Sequence, residues 1–267
     1  MIKVSVILPV FNNEEYLTKA IKSILAQAYR DFEFLIINDA SIDNSGEILK
    51  NFAAKDKRII LINNKKQLGL TKSLNKAIRQ AKGKYIARMD ADDISLKNRL
   101  EKQTSFLEKN QNIAVLGSWV VLIDEKGKEL KVKKTLCGYK NILSNIIKAN
   151  PFIHPTLVFR KDIFDKVGLY DVSFPYAQDY ELMLRIAKKY KVDNYPEVLL
   201  KYRIGADKSI SVKNLKKQEW LALKARWLAL TKYGYPKTDF WKLIKPVLSF
   251  LLPVSVKIWI YKRFFWK

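Results

Sequence analysis

Three carboxylates stand within four residues in Asp90-Ala91-Asp92-Asp93, with Arg88 the only opposite charge nearby. So dense a cluster repels itself, and a divalent cation relieves the repulsion. Hard carboxylate oxygens favour Mg2+ or Mn2+, ions that also bind diphosphate. The competing reading is an acidic turn in which Asp92 or Asp93 caps a helix starting near Leu96. Asp39 lies in Asn38-Asp39-Ala40-Ser41, where taken alone it reads as a turn former. Asp179 lies in Ala177-Gln178-Asp179-Tyr180-Glu181, ahead of Leu182, Leu184 and Ile186, whose spacing marks the start of a helix; a helix cap is its plainer role. Other chemistries are excluded. One cysteine (Cys137) and one histidine (His154) supply neither an intramolecular disulfide nor a Cys/His zinc site. No Gly-x-Gly-x-x-Gly follows the first strand and no Gly-Lys-Ser/Thr loop occurs, which disfavours a dinucleotide oxidoreductase or a P-loop NTPase.

The elements that must hold these residues alternate between two periods over the first 110 positions. Ile2-Lys3-Val4-Ser5-Val6-Ile7-Leu8 reads as a strand covered on both faces. Tyr16, Leu17, Ala20, Ile21, Ile24 and Leu25 then follow helical spacing after an acidic first turn, Glu14-Glu15. Strands at 32–37, 59–62 and 84–88 alternate with helices, one capped by Asp43 or Ser45 and another closed by Gly83. This alternation predicts βαβ units and a mostly parallel sheet, whose ligands bind beyond the carboxyl ends of the strands. Polar clusters stand at three of those four ends: Pro9-Val10-Phe11-Asn12-Asn13, Asn38-Asp39-Ala40-Ser41 and Asp90-Ala91-Asp92-Asp93. Beyond them come a long strand at 113–123, a turn at Asp124-Glu125-Lys126-Gly127 returning through Leu130 and Val132, helices near 139–149, 161–167 and 179–190, and a strand at 198–203.

In order and spacing, Pro9-Val10-Phe11-Asn12, Asn38-Asp39-Ala40-Ser41 with Asp43, Gly69 before a helix, Gly83-Lys84-Tyr85-Ile86 and Asp90-Ala91-Asp92-Asp93 resemble glycosyltransferase family 2. The resemblance covers about residues 3 to 205. It implies a GT-A fold, α/β with a Rossmann-like, mostly parallel central sheet flanked by helices. It also implies a nucleotide-sugar donor, most commonly a uridine one in the family, and an inverting, metal-dependent transfer. Asp39 then matches the carboxylate that meets the donor's base, with Pro9, Phe11, Asn12 and Glu14 as the wall around that nucleotide. Asp90 and Asp92 match the family's Asp-x-Asp facing ribose, diphosphate and metal; Asp93 extends the cluster, so Asp92 and Asp93 are both candidate ligands of Mg2+ or Mn2+. Asp179 takes the place of the catalytic base in the family's Glu-Asp motif, where Gln178 departs from the usual glutamate and bears on the acceptor. His154, in Asn150-Pro151-Phe152-Ile153-His154-Pro155, resembles part of the acceptor-side loop. Arg203 stands where relatives approach the diphosphate.

The charge is unevenly spread. The 267 residues carry 50 Lys+Arg against 26 Asp+Glu, a net +24, yet 48% hydrophobic content excludes a disordered polycation. Residues 213–267 hold 13 basic and two acidic side chains and five of the six tryptophans. This shift predicts a GT-A unit at 1–212, with a nucleotide-sugar-binding half at 1–110 and an acceptor half at 111–212. It also predicts a helical, basic, aromatic-rich tail at 213–267. The uncharged run at 246–256 is too short to span a bilayer and suits a helix lying in an anionic membrane surface. Packing on the enzyme, or on a second subunit in a homo-oligomer, is the alternative. The start, MIKVSVILPVFNNEE, reads as a strand rather than a signal peptide, so the expected place is the cytoplasmic, inner face of the cell membrane. A glycan or lipid-linked acceptor follows from the resemblance. A basic nucleic-acid or polyanion binder competes on charge, but it has no need of an acidic cluster at a sheet edge, and no nucleic acid is expected. A sugar-nucleotide pyrophosphorylase would want a glycine-rich basic loop where 9–15 stands.

Overall fold

A computed structural model describes residues 3–205, 214–253 and 256–257. Strand β1 (Val4–Val10) is buried along almost its whole length, and β2 (Phe32–Asn38) throughout. Period-2 alternation divides β1 between two apolar cores: Val4, Val6, Leu8 and Val10 face one, Ile7 the other. Between the strands lie α1 (Glu14–Leu25), α2 (Ser45–Lys55) and α3 (Leu70–Gln80), followed by β3 (Ile59–Asn63) and β4 (Tyr85–Arg88) in their chain positions. The strands β3-β2-β1-β4 form one parallel run.

The second half extends the same sheet. After β5 (Ile94–Ser95) and α4 (Arg99–Lys109) come β6 (Ile113–Ile123), β7 (Glu129–Lys133), α5 (Tyr139–Asn145), β8 (Val158–Arg160), α6 (Ile163–Val167), α7 (Gln178–Lys189) and β9 (Lys191–Arg203). Strand β8 pairs antiparallel with both β4 and β6, so β6 and its parallel neighbour β9 run in the direction of β1–β4. Six strands therefore share one direction, and β5, β7 and β8 oppose them.

Three expectations need correction. No helix starts near Leu96: Ile94 and Ser95 pair with Lys201 and Leu200 of β9, and helix α4 begins only at Arg99. The sheet takes the residues after Asp93, so neither Asp92 nor Asp93 caps a helix. Gly83 does not close α3, which ends at Gln80 with Ala81 as its cap. A Cβ at Gly83 would stand 2.5 Å from the Ser5 backbone N and 2.7 Å from the Val4 carbonyl carbon, so glycine is required for close approach to β1. The late strand is longer than expected, because Asp193, Asn194 and Pro196 look like a turn but lie within β9.

The first tail helix, α8 (Leu215–Thr231), packs on α7. Ala225, Ala229 and Leu230 are buried in the same core as Leu182, Leu184 and Ile186. Small residues at 225 and 229 let the two helices approach closely. Tyr235 is buried as well, and its hydroxyl donates to the Leu184 carbonyl at 3.0 Å. A 3-10 turn at Lys237–Leu243 leads into α9 (Ile244–Leu251), which has no buried residue. Trp259 and Trp266 lie outside the described residues.

Candidate active site

The loops after β1 and β2 are tied together by reciprocal hydrogen bonds. Asn12 N donates to Ser41 Oγ at 3.1 Å, and Ile42 N donates to Asn12 Oδ1 at 2.9 Å. Glu14 N donates to Asp43 Oδ2 at 3.0 Å, while Asn44 N donates to Glu14 Oε2 at 2.9 Å. Asn12 and Glu14 thus hold the loop pair in shape, with Phe11 exposed at its rim and Pro9 half-buried in β1. Asp39 is buried beneath them. Its Oδ1 accepts from Asn64 Nδ2 (2.7 Å) and Leu68 N (2.9 Å), and its Oδ2 accepts from Gly69 N (2.8 Å). A carboxylate offers about four acceptor positions, so one on Oδ2 remains for a further donor. Gly69, at φ 86, opens α3 where a side chain would be strained.

Asp90, Asp92 and Asp93 follow β4, with one oxygen of each within 4.8 Å of the others. The buried guanidinium of Arg88 pairs with Asp90. Asp93 Oδ1 accepts the Arg203 N–H at 2.9 Å, while its Oδ2 is buried without a hydrogen-bond partner. Burial first, and Asp90 second, push the Asp92 carboxyl up to about 6. Asp93 is driven well above the usual range by burial, then by Asp92 and Asp90. These groups fit a hard divalent cation: three converging carboxylates, mutual repulsion, and an unsatisfied oxygen. Arg203 donates through Nε to the Asp92 carbonyl (2.8 Å) and through Nη1 to the carbonyls of Asp124 (2.6 Å) and Glu125 (2.8 Å), with its guanidinium 4.3 Å above the Tyr16 ring. In this arrangement it clasps the acidic loop to the β6–β7 turn.

Ala177 at φ 55 turns the chain into α7, which places the buried Gln178 and then Asp179 in its first turn. Asp179 Oδ2 accepts from Asn150 Nδ2 at 3.0 Å. Burial raises the Asp179 carboxyl, against backbone N–H groups of the helix start, Arg88 and Asn150, which lower it. His154 opens a 3-10 turn before β8, and its Nε2 lies 2.9 Å from Tyr170 Oη. Burial, then Arg88, pull its imidazole well below the ordinary value, so it is neutral at pH 7.

Arg88 acts electrostatically on Asp92, Asp93, Asp179, His154 and Tyr170. The fold has therefore brought acidic groups some 90 residues apart around one buried cation. Among the described residues, the non-glycine positions at positive φ are Asn12, Ala40 and Ala177, all in these loops; such conformations cluster where surrounding structure over-determines them. Sequence reasoning missed Asn150, Asn64 and Tyr170 as partners. None lies near its partner in sequence, and only the placement of Arg88 beside the acidic run hinted at its part.

The family model "Glycosyl transferase family 2" matches residues 5–168. An uncharacterized glycosyltransferase of Methanocaldococcus jannaschii is 41% identical over 246 residues, covering 90% of this chain and 84% of its own. The amylovoran biosynthesis glycosyltransferase AmsE of Erwinia amylovora is 31% identical over 268 residues, covering 97% of this chain and 98% of its own. The crystal structure of S. aureus TarS 1-349 in complex with UDP superposes with a TM-score of 0.69 at 17% identity, covering 98% of this chain and 72% of that one. The last is a likeness of fold.

Proposed function

The chain belongs to glycosyltransferase family 2 and has its GT-A fold, and on that premise we propose a metal-dependent, inverting transfer from a nucleoside diphosphate sugar, a uridine one first, to a hydroxyl of a lipid-linked or growing surface polysaccharide. The observation that carries this reading is the convergence of Asp90, Asp92 and Asp93 with Asp179 around Arg88. Asp39, with its one remaining acceptor position, receives an N–H of the donor's base; Phe11 and Pro9 border it, and Asn12 and Glu14 hold that wall in place. Asp92 and Asp93, with Asp90 beside them, would hold Mg2+ or Mn2+, which when bound offsets the charge of the departing diphosphate. Arg203 keeps that loop in place.

Asp179 takes the proton of the acceptor hydroxyl as it attacks the anomeric carbon from the face opposite the leaving group, which is what inversion requires. Asn150 orients the carboxylate, and Gln178 and neutral His154 lie on the acceptor side. Asp92→Asn and Asp179→Asn, each assayed for UDP release against a panel of uridine diphosphate sugars with Mn2+, test the assignment. Turnover is expected to fall about a hundredfold or more in each, with unchanged circular dichroism. Retained turnover in both would overturn the site.

The tail supports a place on the cytoplasmic face of an anionic membrane. Trp220, Trp227, Trp241, Ile244, Leu248 and Leu251 are each more than half exposed. The tail's two acids are paired, Glu219 with Lys257 and Asp239 with Lys242, against 13 basic residues at 213–267. Exposed apolar and aromatic side chains in so basic a segment match an anionic bilayer surface. Among the described residues no helix is long and apolar enough to cross a membrane.

A further inference from the structure

Helix α8 does more than dock on the enzyme. After α5 ends at Asn145, the chain turns through residues 146–149 toward Asn150, and carbonyls there lack helical partners. Two side chains meet them. Arg226 of α8 donates through Nε to the Ile147 carbonyl at 2.9 Å and through Nη2 to the Lys148 carbonyl at 3.4 Å. Tyr180 of α7 donates its hydroxyl to the Ile146 carbonyl at 2.5 Å. The Arg226 guanidinium lies 4.8 Å above the Tyr180 ring, so both donors share one stack. Tyr180 directly follows Asp179, and residues 146–148 lead into Asn150, whose amide meets Asp179 at 3.0 Å. Ala225 and Ala229 beside Arg226 are fully buried, and Tyr233 Oη donates to Glu181 Oε1 at 2.6 Å, so α8 is fixed against α7 at several points.

We infer that Arg226 is a positioning residue for Asp179: it clamps the 146–150 segment to the first turn of α7, and so sets the Asn150–Asp179 hydrogen bond. This rests on Asp179 being the base. A guanidinium suits the task because its planar fork donates to two carbonyls while stacking on a ring, which an ammonium cannot reproduce. The tail is thereby a working part of the acceptor side.

The test uses the full chain with Arg226→Met, Arg226→Lys, Asn150→Ala and the double variant Asn150→Ala/Arg226→Met. Arg226→Met is expected to lower kcat for UDP release from a uridine diphosphate sugar about tenfold or more, as loss of reactant alignment does. The thermal shift produced by UDP with Mn2+, which reports the other half of the site, stays as in wild type. Because burial raises the Asp179 carboxyl while backbone N–H groups of the helix start, Arg88 and Asn150 lower it, loosening the Asn150 bond moves the acidic limb of the kcat profile to higher pH. Arg226→Lys recovers part of the loss. The double variant is no worse than Asn150→Ala, because both act through one bond. If Arg226→Met fails to fold, Arg226→Lys and its pH profile carry the test. A lowered Tm with wild-type kcat and pH profile, or additive losses in the double variant, would overturn the inference. Wild-type turnover in Asp179→Asn would instead overturn the base assignment.

Discussion

Arg203 donates its backbone N–H to Asp93 Oδ1 at 2.9 Å, while its side chain reaches past to the Asp92 carbonyl at 2.8 Å. One residue at the end of β9 thereby shapes the acidic loop that ends β4. Replacing Arg203 by Ala leaves the carbonyls of Asp92 and Glu125 without their donor and that of Asp124 with Gly127 N–H alone, a cost of about 2–3 kcal/mol to folding stability. Affinity for Mn2+ is expected to fall about tenfold to a hundredfold, as when a supporting partner of a metal site is lost. Urea unfolding and Mn2+ titration followed by electron paramagnetic resonance measure the two effects.

The acidic cluster makes the metal-free protein sensitive to pH. Asp92 is raised to about 6 and Asp93 well above the ordinary carboxyl range, so both hold protons more tightly folded than unfolded. Their contribution is favourable below the unfolded carboxyl value and is lost as pH rises through about 6 and above. Stabilisation by Mn2+ should therefore grow from pH 5 to pH 7.5, since the cation binds the ionised form. Scanning calorimetry with and without Mn2+ at both values checks this; Asp92→Asn should flatten the difference.

Asp39 holds three donors at once, two of them the backbone N–H groups of Leu68 and Gly69 that lead into α3. Asp39→Ala is expected to cost about 2–3 kcal/mol by leaving those groups unpaired. It should also abolish the thermal shift caused by UDP. Asp39→Asn separates the effects of size and charge, since its amide N–H faces existing donors.

The exposed face of α9, which has no buried residue, is the surface proposed above to meet lipid. Leu248→Glu combined with Leu251→Glu should prevent flotation with vesicles of anionic phospholipid, without lowering UDP release from a uridine diphosphate sugar in solution. Flotation that survives the change would remove this face from the contact. A shift in sedimentation coefficient with protein concentration, abolished by the same substitutions, would point to self-association.

Gly83→Ala should destabilise the protein by about 1–3 kcal/mol, because the added carbon meets backbone of β1 that cannot rotate away. Equilibrium unfolding by urea reads this directly. Activity per folded molecule should be unaltered.

The alternation of periods in the first 110 residues was enough to predict β1 to β4 and the helices between them, because strands covered on both faces need continuous apolar runs whatever else surrounds them. The polar clusters at the strand ends, with Asp39, Asp90, Asp92 and Asp93, were legible for the same reason: topology places every such end on one edge. What escaped was everything that depends on residues far apart in the chain. The pairing of Ile94 and Ser95 with β9, rather than a helix at Leu96, follows from a strand a hundred residues away. Asn150 meets Asp179, and Arg226 meets Ile147, only because α8 packs on α7 and the segment after α5 runs against both. Local propensity carries the identity of the elements; the partners of buried polar groups are chosen by packing, which no short stretch of sequence contains.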